Sequence, residues 1–131
     1  MKYLTSLVAL MLCIQLQSAE LTKESLLNAI IEMKTVVSDN NLKSAKTFIE
    51  KYVNPEDIKK AIDGGKTINE LASMVFDSGK YAKMAVMLNA ADVTNGIVDN
   101  EASEIACKYS IDGSEGWIRF LLIDKKWYIK N

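Results

Sequence analysis

The chain has 131 residues, with 16 lysines and arginines against 17 aspartates and glutamates, no histidine and two cysteines. Hydrophobic residues make up 49% and charged residues 25% of it, which is ordinary for a globular domain. The lack of histidine excludes Ser-His-Asp and Cys-His catalysis, the usual zinc sites and histidine pH switches. The net charge of −1 gives no field that attracts nucleic acid. We predict no nucleic-acid partner, no metal and no cofactor.

Residues 1–19 are typical of a secretory signal peptide. Lys2 supplies a positive charge, Leu7 to Ile14 form an unbroken apolar run, and the segment ends at the small residue Ala19. The run is shorter than the roughly 20 apolar residues that a spanning helix needs. We predict cleavage near Ala19, a periplasmic or secreted location and no membrane span in the mature chain. Lipid attachment at Cys13 and a buried N-terminal helix are the alternatives.

The remaining residues, 20–131, are predicted to form a single domain, because no repeat, linker or low-complexity tract interrupts them. Cys107 is the one cysteine of this part, so the domain has no internal disulfide and depends on its core. A lone cysteine in a core acts as a small hydrophobic residue, and the chain has no histidine to activate the thiol.

Helical periodicity fills the first half of the predicted domain. Thr22 to Ser38 and Leu42 to Val53 both carry apolar residues at three- and four-residue spacing. Asn54-Pro55 ends the second helix and begins a third that runs to about Ile62, since proline lacks an N–H but suits the first helical position. The capping box from Thr67 to Glu70 begins a fourth helix. Lys80 to Ala91 fits both periodicities, and its Ala, Met, Lys and Leu content favours helix.

Strand alternation fills the second half. Asn95-Gly96 is a turn signal. Ala102 to Ile111, Trp117 to Ile123 and Trp127 to Ile129 are predicted strands joined by short turns, which gives an antiparallel meander. The strand Trp117 to Ile123 is apolar on both faces apart from Arg119, so we expect it to be central. Helices followed by strands indicate an α+β fold with N-terminal helices packed on a curved antiparallel β-meander.

The pattern of the second half resembles a known superfamily. The residues that carry the resemblance are Glu104 to Tyr109 and the final hairpin Trp117 to Ile129, with its acidic-basic turn and terminal Trp-Tyr-Ile. They resemble the nuclear transport factor 2-like superfamily, the cystatin-like α+β rolls, although Tyr128 stands where lysine is usual. The resemblance implies a cone-like roll that encloses a pocket, and a homodimer formed through the open sheet face. A fold alone does not choose a function.

Four residues are candidate ligand contacts. Tyr81 lies on the apolar side of its helix, and Tyr109 faces inward by alternation. Trp117 serves either sheet packing or ligand stacking. Arg119 either anchors an anion inside the cone through its planar guanidinium group, or has no binding role and pairs with Glu104 across the outer face of the sheet or is simply exposed.

A second candidate set is acidic and suits a protein partner. It consists of Asp92, Asp99, Glu101 and Glu104. These carboxylates fall in turns or on polar faces, and we find no inward Asp-Tyr pair of the kind that the pocket isomerases and dehydratases of the superfamily use. We therefore predict a secreted or periplasmic non-catalytic domain that binds a small apolar molecule or a peptide. The alternatives are an immunity-type protein that neutralises a toxin through the acidic stretch, and a pocket isomerase or dehydratase.

Overall fold

The computed structural model describes residues 20–130. Within that range five helices come first and one four-stranded sheet follows, so the predicted α+β class is confirmed. The helices are α1 (Lys23–Val37), α2 (Leu42–Tyr52), α3 (Pro55–Asp63), α4 (Ile68–Asp77) and α5 (Lys80–Ala90), and the strands are β1 (Asp92–Asp99), β2 (Glu104–Ile111), β3 (Ser114–Ile123) and β4 (Lys126–Lys130). None of these helices is long and apolar enough to cross a membrane.

Side-chain caps set the helix starts where the sequence predicts them. The hydroxyl of Thr67 accepts a hydrogen bond from the Glu70 amide at 3.1 Å. The side chain of Asn54 accepts from the Glu56 amide at 3.2 Å, and Pro55 occupies the first position of α3. Each cap satisfies an amide that has no partner inside its own helix. The ambiguous segment is helical, as predicted, and forms α5.

The sheet is an antiparallel meander in the order β1-β2-β3-β4, so β3 is an interior strand, as expected. Asp124 and Lys125 join β3 to β4 and have φ values of 48° and 65°. Positive φ at both central residues is the geometry of the tight turn that suits the twist of a hairpin. On the other side of β4, the Asn54 amide donates to the Ile129 carbonyl at 3.0 Å, which ties the end of α2 to the sheet.

The predicted turn at Asn95-Gly96 is wrong. Both residues lie inside β1, and the register between β1 and β2 shifts between Asp92 and Ile97. A β-carbon added to Gly96 would lie 3.0 Å from Cγ2 of Ile105 on β2. Glycine at this irregularity therefore permits close approach of two strands, which is a common role of glycine within a sheet.

The helices pack on one face of the sheet. Leu26, Ile30 and Met33 of α1 are 0–1% exposed, and so are Ile105 and Phe120 of the sheet. All of them belong to one buried cluster. The interior between the helices and the sheet is thus filled by apolar side chains, each of which removes its surface from water.

Candidate functional site

The candidate site is the face of the sheet that points away from the helices. On β2 and β3 the side chains alternate, with Ile105, Cys107, Ile118 and Phe120 buried and the intervening positions more exposed. We call the exposed side the outer sheet face. Its residues are Asp92, Ile97, Asp99, Glu104, Ala106, Lys108, Ser110, Glu115, Trp117, Arg119, Leu121, Ile123, Lys126, Tyr128 and Lys130.

Large apolar groups lie on this face. Trp117 is 50% exposed and Ile97 is 59% exposed, while Leu121 and Tyr128 are partly buried cross-strand neighbours. Arg119 is on the same strand as Trp117 and two residues away, so both side chains point to the same side. Tryptophan, tyrosine and arginine are the residue types enriched at the energetically dominant positions of protein interfaces.

Ion pairs order the charged groups of the outer sheet face. The side chain of Glu104 is 12% exposed and lies between two cations. Its Oε1 is 3.6 Å from Nε of Arg119, and its Oε2 is 3.6 Å from Nζ of Lys130. A second pair joins Lys108 Nζ to a carboxylate oxygen of Glu115 at 2.8 Å. The cross-strand pairing of Arg119 with Glu104, one of its two predicted roles, is present.

The four candidate ligand residues do not meet in one pocket. Trp117 and Arg119 are on the outer sheet face, whereas Tyr109 is half-buried on the inner face. Tyr81 is in α5 and is 1% exposed. The inward direction of Tyr109 is confirmed, and the role of Arg119 as an anchor inside a cone does not fit its side-chain exposure of 61%.

Tyr81 belongs to a buried hydrogen-bonded pair. Its hydroxyl lies 2.6 Å from the Ser44 hydroxyl and donates to the carbonyl of Val36 at 3.2 Å. Burial raises the pKa of Tyr81, and the hydrogen bond with Ser44 opposes that rise. The phenol therefore stays protonated at neutral pH and does not act as a base. Its hydrogen bonds instead connect α5 to α1 and α2.

Cys107 points into the core, as the alternation predicted, and is 0% exposed. Burial raises its pKa to about 11, and the nearby charge of Asp92 acts in the same direction. The thiolate is the reactive form of cysteine, so a thiol with this pKa is a poor nucleophile at neutral pH.

The acidic candidates are divided between two places. Asp99, Glu101 and Glu104 gather at the β1–β2 turn, while Asp92 is at the other end of β1. The Asp99 carboxylate accepts from the amides of Glu101 and Ala102, both at 3.1 Å. The Asp92 carboxylate accepts from the amide and side chain of Asn95, which lower its pKa. Most of this acidic set thus has a partner within the protein.

A surface cleft of about 530 Å³ lies where α1 ends and α2 begins. Six of its seven lining residues are polar or charged, which does not suit an apolar ligand. They are Thr35, Val36, Asp39, Asn41, Lys43, Ser44 and Thr47.

Within residues 20–130, no charged side chain is buried, and no three acidic or thiol groups come together as metal ligands. The carboxylates named above as candidates are at the surface or in ion pairs. Sequence analysis missed Ile97, Tyr128 and Lys130 as members of the outer sheet face. The alternation of β4, with Trp127 and Ile129 buried, is the signal that could have found Tyr128 and Lys130.

The chain was compared with known proteins at three levels. No family model, no curated protein and no solved structure matches it. The resemblance to the nuclear transport factor 2-like superfamily therefore stays a prediction, and the feature of the protein that bears most on function is the geometry of the outer sheet face.

Proposed function

We propose that the protein is a non-catalytic binding domain that docks another protein on its outer sheet face. The observation that carries the proposal is the half-exposed Trp117 beside Arg119, on the side of the sheet opposite the packed core. A large aromatic group exposed beside an ordered cation offers a partner much apolar area and a fixed hydrogen-bonding group.

The arrangement of this face supports a protein partner. Apolar groups from three strands, Ile97, Trp117 and Leu121 with Tyr128, alternate on it with ion-paired charges, and Arg119 lies between Trp117 and Leu121 on β3. Protein interfaces commonly combine apolar area with hydrogen-bonding groups in this way. The face is also built on strands, so its residues are held in place before binding and lose little conformational freedom on docking.

The packing of the interior favours this proposal over the carriage of a small apolar molecule. Tyr81, Phe120, Leu26 and Ile30 are all 0–1% exposed and fill the space where the predicted cone would hold a ligand. The same packing opposes a pocket isomerase, because such an enzyme needs a carboxylate within reach of a bound substrate. The immunity-type alternative remains one form of protein docking, and its contact surface would be the outer sheet face.

The proposal places the docking domain outside the cytoplasm, with the leader removed near Ala19. The leader, residues 1–19, including Cys13, lies outside the described residues, so its support is the sequence pattern alone. Mass spectrometry of the protein from a periplasmic fraction tests it. A chain that begins at Glu20 agrees with the proposal, and a lipid-modified Cys13 or an uncleaved chain contradicts it.

Site-specific photo-crosslinking in the cells that produce the protein tests the docking function. A photoreactive phenylalanine derivative replaces Trp117 in one variant and Ile31 of α1 in a matched control, since these residues are 50% and 55% exposed. We expect a protein adduct from position 117 and none from position 31. Equal adducts at both positions, or none at position 117, would contradict the proposal.

A second copy of the chain is the alternative occupant of the face. The face carries both signs of charge, Lys108 and Arg119 against Glu104 and Glu115, so two copies could oppose unlike charges. An adduct at position 117 with twice the mass of the chain identifies this occupant. Sedimentation equilibrium that shows only monomer at high concentration excludes it.

A further inference from the structure

We infer that the partner presents a carboxylate beside an apolar side chain, so that the carboxylate contacts Arg119 and Lys130 while the apolar group packs on Trp117. The inference rests on the proposed docking function and gives the partner its chemistry. It follows from the balance of charge in one row of the outer sheet face, the one that contains the cross-strand pair Arg119 and Lys130.

Arg119 and Lys130 are direct cross-strand partners in β3 and β4. Like charges in such positions repel each other. The structure supplies one carboxylate for the two cations, that of Glu104, which lies at 3.6 Å from both. Asp99 is the cross-strand partner of Glu104, but its carboxylate accepts hydrogen bonds from the amides of Glu101 and Ala102 in the β1–β2 turn. Counted with Glu104, the two cations therefore keep an excess of one positive charge.

The contacts with Glu104 also leave the two cations with hydrogen-bonding capacity. Charge-assisted N–H···O bonds are about 2.7–2.9 Å long, and both distances here are greater. Arg119 approaches Glu104 through Nε and keeps 61% of its side chain exposed, and Lys130 keeps 40%. A second carboxylate that arrives from solvent can bind the planar guanidinium group and balance the row.

The Lys108–Glu115 pair behaves differently. Its separation of 2.8 Å is that of a formed charge-assisted bond with one anion for one cation. Lys108 stands directly opposite Trp117 in the register of β2 and β3. This pair is therefore a nearby site of balanced charge. A substitution in it distinguishes the effect of the unbalanced cations Arg119 and Lys130 from the effect of any lysine close to Trp117.

The spacing on β3 sets the geometry of the partner. Trp117 and Arg119 are two residues apart on one side of a strand, which corresponds to about 6.5–7 Å. An extended partner segment meets that spacing with an acidic residue and an apolar residue at alternate positions. The face therefore suits an acidic protein segment, which carries both a carboxylate and an apolar side chain. An anion alone would contact Arg119 and leave Trp117 uncovered.

Binding of defined polymers tests the inference. The probes are a labelled random copolymer of glutamate and tyrosine, polyglutamate and polylysine, each titrated with the purified protein. We expect the copolymer to bind more tightly than polyglutamate, and polylysine not to bind. Arg119→Gln and Lys130→Gln should each weaken copolymer binding about tenfold, since each removes one contact with a charged group. Trp117→Ala should remove the advantage of the copolymer over polyglutamate.

Two lysines supply matched controls. Lys108→Gln alters a balanced pair beside Trp117, and Lys59→Gln alters an exposed lysine of α3. Lys59→Gln should bind the copolymer as the unmodified protein does, and Lys108→Gln should lose less binding than Arg119→Gln does. Equal losses in Lys59→Gln and Arg119→Gln, or no loss in Arg119→Gln, would overturn the inference. So would preferential binding to vesicles of anionic lipid, or a homodimer that Arg119→Gln dissociates.

The docking function and the inferred chemistry can fail separately. If Arg119→Gln keeps the photo-crosslinks formed from position 117, the acidic partner is wrong and the docking face stands. If position 117 forms no adduct at all, the docking face itself is wrong.

Discussion

The phenol ring of Tyr109 lies over the backbone of Gly116, its cross-strand partner in β3. A β-carbon added to Gly116 would overlap that ring. Glycine weakens a strand because it has no side chain to pack, and an aromatic ring across the pair supplies the missing contact. Tyr109 therefore has a structural role on the inner face, where sequence analysis placed a ligand contact.

Gly116→Ala tests this packing. The added methyl group forces Tyr109 out of its position, so we expect a loss of about 1–3 kcal/mol in the free energy of unfolding. Urea denaturation measures the loss. In a Tyr109→Ala background the same substitution should cost much less, because the overlapping ring is gone. An equal cost in both backgrounds would show that Tyr109 does not cover Gly116.

The buried pair of Ser44 and Tyr81 predicts a coupling energy. Tyr81→Phe leaves the Ser44 hydroxyl without its 2.6 Å partner, and we expect a loss of about 1–2 kcal/mol in unfolding free energy. Ser44→Ala should cost a similar amount. The double variant should cost less than the sum by about 1 kcal/mol, because the two hydroxyls share one interaction. Additive losses would mean that the hydroxyls do not interact.

Cys107 predicts a fall of stability at alkaline pH. Its pKa in the fold, about 11, lies above the ordinary 9.0, so between these values the folded state keeps a proton that the unfolded state loses. The stability that the neutral thiol contributes is complete below pH 9 and is lost as the pH rises toward 11. Two pKa units correspond to a loss of at most about 2.7 kcal/mol in the free energy of unfolding.

Urea denaturation across this range, with Cys107→Ala as the comparison, checks the prediction. The unmodified protein should lose more stability with rising pH than the variant does. Identical pH profiles would show that the thiol is not held neutral by its surroundings.

The two tryptophans should differ in solvent contact. Trp117 is 50% exposed and Trp127 is 4% exposed, and the indole N–H of Trp127 donates to the Ser25 hydroxyl at 3.0 Å. We expect acrylamide to quench two fluorescence components unequally, with the readily quenched component absent from Trp117→Phe. Uniform quenching that Trp117→Phe leaves unchanged would place Trp117 away from solvent.

Local features explain what the sequence could predict about the fold. The caps of Thr67 and Asn54 act within three residues of their own position, so their effect is visible in the sequence. The alternation of β2 and β3 likewise predicted the inward Cys107, and it offered the pairing of Arg119 with Glu104 as one of the alternatives for that arginine. These inferences need only the spacing of side chains along one strand or helix.

The errors have non-local causes. Asn95-Gly96 is a turn signal in isolation, but the close approach of Ile105 from the next strand makes Gly96 part of β1. Lys130 comes close to Glu104 because the register of β3 with β4 places it opposite Arg119. Sequence spacing does not specify that register, and the unequal charge balance along the outer sheet face became visible only in the structure.

In the proposed function, Trp117 contributes to docking far more than to folding. The most direct measurement places a photoreactive residue at position 97, which is on the same face and 59% exposed in the native chain, and adds Trp117→Glu. We expect the protein adduct from position 97 to disappear while the melting temperature falls by only a few degrees, because half of the Trp117 side chain is already exposed. An adduct that persists, or a melting temperature that collapses, would contradict it.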